Sequence, residues 1–322
     1  MIRIDPHVHC RDGNESYKET IAHVLRLCDQ QGIAIIFDMP NTDPPLLTVR
    51  DAETRLKLVP QGEQSRYRMY LGVTKNPDQV RAAAAAVTDT EYVIGLKLYA
   101  GPSVGPLAVI AEKDQRQVYQ TLADAGYTGV LAVHCEKKSA LINAFDPQQP
   151  QTHSLARPAT AEAQSIADQI RFAESAGFQG TLHICHLSTA AGLDAKQNTQ
   201  GKLKITCGVT PHHLLWSASQ ANGPEGLLYK VNPPLRDPSD TIALRKALKD
   251  GNIDWIETDH APHPVSEKLY PPYASGYPSL CLYRTLVKEL LPGWGFSDDR
   301  IQAVTGDTVR RTFDERKLHY DS

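Results

Sequence analysis

The chain has 322 residues, 41% of them hydrophobic and 22% charged, with a net charge of −3. That is enough apolar material for one large core or two smaller ones; the near-neutral balance and the lack of a basic block argue against nucleic acid or a membrane surface as partners. No apolar run approaches a bilayer span, no signal-peptide pattern precedes the first strand, and the six cysteines are scattered without a C-x-x-C pair, so a soluble cytoplasmic protein with reduced thiols is expected.

The first strand, "IRID", runs into His7-Val8-His9. Side chains alternate across a strand, so His7 and His9 share a face and could chelate one ion. An isolated H-x-H is a weak sign of a metal, and the rest of the chain has to decide. Further apolar, β-rich runs follow at 32–39, 67–73, 92–99, 129–135, 180–187, 202–209 and 252–259. Between them the spacing predicts helices over 16–31, 48–58, 77–87 (opened by an Asn76 cap before Pro77), 112–126, 159–176 and 188–197. Eight near-continuous apolar strands separated by helices suit a parallel sheet buried on both faces, and the count points to an α/β fold, a (β/α)8 TIM barrel, as a single domain over 1–322. A doubly wound sheet competes, but no G-x-G-x-x-G follows the first strand. No internal repeat or long linker is visible, and two Pro/Gly-rich stretches, 100–107 and 263–279, look like loops that cover a site.

In such a barrel, chemistry gathers at the carboxyl ends of the strands. His7 and His9 end the first strand, Lys97 falls near the end of the fourth, and His134 and His186 end the fifth and sixth. Asp259 ends the eighth, with His263 four residues beyond. One buried histidine is usually a satisfied core residue, and His23, His153 and His319 are expected to have no role in chemistry. The clustering of the others at one end of the barrel makes coincidence a poor explanation. Four imidazoles and a carboxylate suit a borderline divalent ion such as zinc, with positions left for water.

The stretches "DPHVHCRDG", "DMPNTDPP", "GLKLYAG", "VHCE", "HICHLSTAAGL", "GVTPHHLLW", "KVNPPLR" and "ETDHAPH" run in order from residue 5 to about 280. On them the sequence resembles the amidohydrolase superfamily, and within it the dihydroorotases. The resemblance implies a binuclear centre of two Zn2+ ions per chain, one held by His7, His9 and Asp259, the other by His134 and His186. Lys97, carbamylated by carbon dioxide, would bridge them. A buried lysine beside two dications is disfavoured as an ammonium, whereas its carbamate offsets their charge. The implied reaction is interconversion of N-carbamoyl-L-aspartate and dihydroorotate in pyrimidine biosynthesis. A metal-bound hydroxide would attack the ring carbonyl, and Asp259 would carry the proton to the departing nitrogen. Arg11, Asn41 and His263 match the family's contacts to the substrate carboxylate; Asn232, Ser275 and Gly276 match contacts to the ring.

Some features depart from the pattern. Related hydantoinases carry a β-sandwich built from residues outside the barrel; with six residues before His7 and an end at 322, no substantial sandwich is expected here. The loop after Lys97 lacks a threonine found in several relatives, a place Ser103 could take, and "GDTVRRTFDERKLHYDS" departs from the usual ending. The alternatives are another cyclic amidohydrolase, acting on hydantoin or allantoin, and a non-catalytic dihydroorotase-like subunit of aspartate transcarbamoylase. A complete ligand set argues against the second, and Arg11 against the first. A small-molecule substrate and a homodimer are expected, with association with aspartate transcarbamoylase left open.

Overall fold

The computed structural model describes residues 2–102, 107–199 and 201–319. Eight parallel strands pair in chain order: β1 Ile4–Val8, β2 Ile35–Asp38, β3 Tyr67–Gly72, β4 Val93–Tyr99, β5 Val130–His134, β6 Thr181–Ile184, β7 Lys204–Val209 and β8 Trp255–Ile256. All but β7 are buried along their whole length. That explains why they read as continuous apolar runs rather than alternating ones: helices cover the outer face and side chains fill the lumen. The sheet closes into a barrel where β8 meets β1. Asp259 donates its backbone N–H to His7 (2.9 Å), and His9 donates its own to His260 (2.8 Å). The Asp5 carboxylate also accepts from the Thr258 amide (3.0 Å) and hydroxyl (2.5 Å).

Two apolar layers hold this barrel. The larger lies between strands and helices and includes Ile36, Leu71, Leu96, Leu131 and Leu182. The smaller fills the lumen, where Phe37 packs edge-on against Tyr70 and against Phe313 from the C-terminal helical run, with centroids 6.2 and 5.0 Å apart. This aromatic plug closes the amino end of the barrel, so the opposite end is left for polar groups.

The expected (β/α)8 barrel is present, with differences at the margins. The first strand lies over Ile4–Val8 rather than 2–5, so it takes in His7 and leaves His9 one residue beyond its end. The first helix, α1, starts at Ile21 because Thr20 caps it, accepting from the His23 amide, while 12–19 forms a loop. The Asn76 cap is as expected, accepting from the Asp78 amide of the helix Pro77–Asp89. A helix over Pro238–Asp250 and two helical runs, Leu280–Gly293 and Asp298–Thr312, were not evident from periodicity; π turns at Leu286–Leu290 and Ala303–Asp307 break the spacing of the two runs. Ser103 lies outside the described residues. No described helix is long and apolar enough to cross a membrane.

Candidate active site

At the carboxyl end of the barrel lies a small cavity, about 60 Å³, lined by His7, His9, Lys97, His134, His186 and Asp259, with Arg11, Asn41, Asn232, Ser275 and Gly276 around its mouth. All six predicted ligands therefore meet in one place, and five of the six predicted substrate contacts line the same cavity. The sixth, His263, stands behind Arg11: the Arg11 guanidinium donates to its Nε2 at 3.0 Å.

Two backbone devices deliver these side chains. Alternation along β1 and β4 turns His7, Lys97 and Tyr99 into the lumen. Beyond the strand ends the chain turns in the left-handed region, which non-glycine residues rarely occupy. Arg11 (φ 54°), His186 (φ 39°) and Asp259 (φ 48°) are three of the five non-glycine residues with positive φ among the described residues. Strained backbone of this kind persists where surrounding structure enforces it, and it clusters at functional sites. Gly276 (φ 152°) is a further such position: a Cβ there would lie 2.3 Å from the Ala261 carbonyl oxygen.

The polar atoms fall into two groups. His9 Nε2 and His7 Nε2 converge on Asp259 Oδ1, at 3.0 and 3.4 Å. His134 Nδ1 faces His186 Nε2 at 3.1 Å. Burial would push the Asp259 carboxyl up, but the hydrogen bond from His9 and the charge on His7 hold it well below the usual carboxylate range. Burial, reinforced by His134, keeps His186 neutral. Lys97, fully buried between the groups, donates to Cys185 Sγ at 2.9 Å. Burial disfavours the thiolate, yet the charges on Lys97 and His7 draw the Cys185 thiol down to about 5.

Several residues that the sequence did not single out complete the site. Glu136, fully buried, takes His134 Nε2 at 2.9 Å and Arg157 Nε at 2.9 Å. With Nε2–H donated to the carboxylate, Nδ1 of His134 keeps its lone pair toward the cavity. Glu257 stands behind His7 as a charge partner, 3.4 Å from Nδ1 without a hydrogen bond to it, while accepting from His183 and Trp255 at 2.9 Å each. Both glutamates sit two residues from a predicted ligand, in "HCE" and "ETD", so the alternation that linked His7 to His9 could have flagged them. His153 also differs from expectation. It is buried, with Nε2 at 3.0 Å from Asn232 Oδ1, and so takes part in positioning a mouth residue.

The donor set fits metal ions. Two ligands on one tetrahedral cation, at bonds of 2.0–2.1 Å, stand roughly 3.3 Å apart, close to the 3.0–3.4 Å separations found in both groups. The donor atoms of His7, His9 and Asp259 all lie within 4.8 Å of one another. His9 and His186, which burial keeps neutral, His134 backed by Glu136, and the Asp259 carboxylate are donors that suit a divalent ion of zinc's kind.

The barrel shares its fold with solved hydantoinases and a dihydroorotase. It superposes on the D-hydantoinase (dihydropyrimidinase) from Thermus sp. with a TM-score of 0.78 at 22% identity, over 96% of this chain and 70% of that one. It also superposes on the dihydroorotase from Saccharomyces cerevisiae, solved with 5-fluoroorotic acid, with a TM-score of 0.73 at 20% identity, over 96% and 83%. In sequence it is related to the dihydroorotases: 31% identity over 276 residues to the Staphylococcus aureus protein and 32% over 273 to that of Bacillus licheniformis. These alignments cover 83% and 82% of this chain but 62% and 60% of the relatives, so the chain spans about three fifths of their length. No family model matches it.

Glu136 generates a prediction with two readouts. Burial alone would raise its carboxyl, but the Arg157 charge and the hydrogen bonds from His134 and Arg157 hold it well below the ordinary range. A depressed carboxylate contributes stability that is present above its unfolded value of about 4.3 and is lost as pH falls toward the folded one. Glu136→Gln should therefore cost about 3 kcal/mol at pH 7, by stranding Arg157, and the gap to wild type should narrow as urea unfolding is repeated below about pH 4. Zinc affinity should drop roughly 10- to 100-fold, because the neutral amide is a weaker acceptor for His134 Nε2–H than the carboxylate and lowers the basicity of Nδ1.

Proposed function

We propose that the protein is a zinc-dependent dihydroorotase that interconverts N-carbamoyl-L-aspartate and (S)-dihydroorotate in the cytoplasm, as a step of pyrimidine formation. The observation that carries this reading is the Arg11 guanidinium at the rim of the metal-ligand cluster. It is buried, its Nε has no hydrogen-bond partner among the described residues, and its nearest carboxylate, Glu15, is 3.9 Å away. A buried cation with unused donors beside the site calls for an anionic group on the ligand, and its planar fork suits a carboxylate. Asn41 at the same mouth has an unpartnered buried amide oxygen. His263, kept neutral at about 4 by burial and by Arg11, donates from Nδ1 to Glu267 at 2.8 Å and so presents Nε2 to Arg11. A hydantoin or dihydrouracil ring, lacking the carboxylate, leaves this arrangement without a partner.

In this reading His7, His9 and Asp259 would hold one ion and His134 and His186 a second, and Lys97, as its carbamate, would supply a further anionic ligand to the pair. The metals, when bound, supply an acidified water and polarise the ring carbonyl. The chain's own groups do the rest. Asp259, ionised at neutral pH, accepts the proton of the attacking water and returns it to the departing ring nitrogen. Arg11, held in place by His263, and Asn41 fix the carboxylate, and Asn232 with the backbone of Ser275 and Gly276 meets the polar edge of the ring. The walls exclude bulk water, which strengthens each of these contacts.

The direct test is metal analysis of zinc-loaded protein with hydrolysis assays on dihydroorotate, hydantoin and allantoin. Two ions per chain and preference for dihydroorotate are expected, and Lys97→Ala should lower both metal content and turnover. No more than one ion per wild-type chain would sink the binuclear assignment, and preference for an uncharged ring would move the reading to a hydantoinase-like enzyme.

Asp259→Asn should lose most turnover, since an amide cannot shuttle a proton. Because the native carboxyl titrates below its usual range, wild-type activity should persist into mild acid and fall only as Asp259 takes up a proton. An Asn variant close to wild type would send the proton elsewhere.

Arg11→Met should cut kcat/KM for dihydroorotate by a factor of tens to thousands, equivalent to roughly 2–5 kcal/mol. It should leave any hydrolysis of dihydrouracil nearly unchanged. The ratio of the two values isolates specificity from general damage. Equal losses would assign Arg11 to the fold or the metal site.

A further inference from the structure

We infer that the Tyr99 hydroxyl is a catalytic hydrogen-bond donor to the oxygen of the carbonyl under attack, an assignment that rests on the cyclic-amide reading above. Tyr99 ends β4, two residues after Lys97, so it projects from the same face one layer nearer the mouth. It lies in register with His134 on β5, their ring centroids 6.4 Å apart, and the Lys97 Nζ sits 5.2 Å from the phenol ring. The side chain is 3% exposed and lines the cavity, yet its O–H has no hydrogen-bond partner among the described residues.

An unmet buried hydroxyl is costly and uncommon, and other buried tyrosines of this barrel avoid it. Tyr67 donates to Asp38 (2.5 Å), Tyr70 to the Pro6 carbonyl (3.2 Å), Tyr119 to Gln169 (3.0 Å) and Tyr127 to the Val130 carbonyl (2.9 Å). Tyr283 shares the deficit but is not among the cavity's lining residues. Tyr99 is thus a buried phenol aimed into a polar cavity with its donor unspent.

Its place on the barrel selects the atom it serves. Arg11, Asn41 and His263 crowd the β1, β2 and β8 side, where the substrate carboxylate is held. Tyr99 stands on the β4–β5 side, above Lys97 and beside His134, among the residues that surround the reacting centre. As water adds to the carbonyl carbon, the π pair moves onto oxygen and the ring C–N bond then breaks. The phenol, which ordinarily titrates near pH 10, keeps its proton throughout and donates a hydrogen bond that strengthens as charge builds on that oxygen.

The test is Tyr99→Phe, which keeps the ring and its packing and removes only the donor. Metal content, circular dichroism and melting temperature should match wild type. Turnover of dihydroorotate should fall about 100-fold, with the loss in kcat and KM little changed, as for removal of one oxyanion donor. Undiminished kcat in the fully metallated variant would overturn the assignment. So would a rise in KM alone, which marks a ground-state contact, or a loss of metal, which marks a structural role. If wild type itself turns over none of dihydroorotate, hydantoin and allantoin, the cyclic-amide reading fails and this role with it. An active wild type beside an equally active Tyr99→Phe variant defeats the Tyr99 assignment alone.

Discussion

Packing ionisable groups into a nearly dry space is the constraint on which the rest of this structure depends. Four imidazoles, a lysine and three carboxylates crowd the end of the barrel, almost all of them below a tenth exposed. Charges removed from water are strongly disfavoured unless paired. The site meets that demand in layers. Asp259 faces His7 and His9, Glu136 backs His134 while gripping Arg157, and Glu257 backs His7 while gripping His183 and Trp255. Glu136 takes the Nε2 proton of His134, so Nδ1 faces the cavity as a lone pair, while Glu257, 3.4 Å from His7 Nδ1, favours the charged form of that ring. The electrostatics that make the cluster tolerable are the same electrostatics that prepare it to bind cations.

The barrel makes such a cluster possible by dividing its lumen. Aromatic residues, including Phe37, Tyr70 and Phe313, fill the amino end, so stability comes from a packed apolar plug. The carboxyl end can then carry polar groups and left-handed turns at Arg11, His186 and Asp259, which would be hard to sustain without a rigid sheet beneath them. Closure matters in the same way. β8 is only two residues long, yet Asp259 is fixed by its amide bond to His7 and by the Asp5–Thr258 contacts just before it. One side chain of the site is thus tied to another through the seam of the barrel.

The solved structures of like fold include a hydantoinase and a dihydroorotase, while the sequence relatives are named dihydroorotases. The fold likeness to a hydantoinase and the sequence likeness to dihydroorotases are therefore compatible. In the proposed reading, barrel and metal cluster open a cyclic amide, while Arg11, Asn41 and His263, carried on loops from three strands, select the ring. The loop over 270–276 belongs to this layer as well. Lys268 donates to the carbonyls of Lys230 (3.0 Å) and Gly276 (2.5 Å), and Lys230 in turn to Ser275 Oγ (2.8 Å), so the rim backbone is held by two lysines.

Local pattern was enough to determine the strands, their number and the end of the barrel at which His7, His9, Lys97, His134, His186 and Asp259 collect. Strand burial leaves an apolar run, and a ligand at a strand end interrupts it with a polar residue; both marks lie within a few positions of one another. What the fold alone decided involves partners far apart in the chain. Glu257 behind His7, Cys185 against Lys97, His153 against Asn232 and the unspent hydroxyl of Tyr99 all depend on which strands become neighbours around the barrel. The two C-terminal helical runs escaped notice because their π turns break the 3.6-residue period, and the role of Phe313 in the lumen became visible only once the barrel had closed around it. Periodicity records how each segment meets a surface; which segment supplies that surface is settled only by three-dimensional packing.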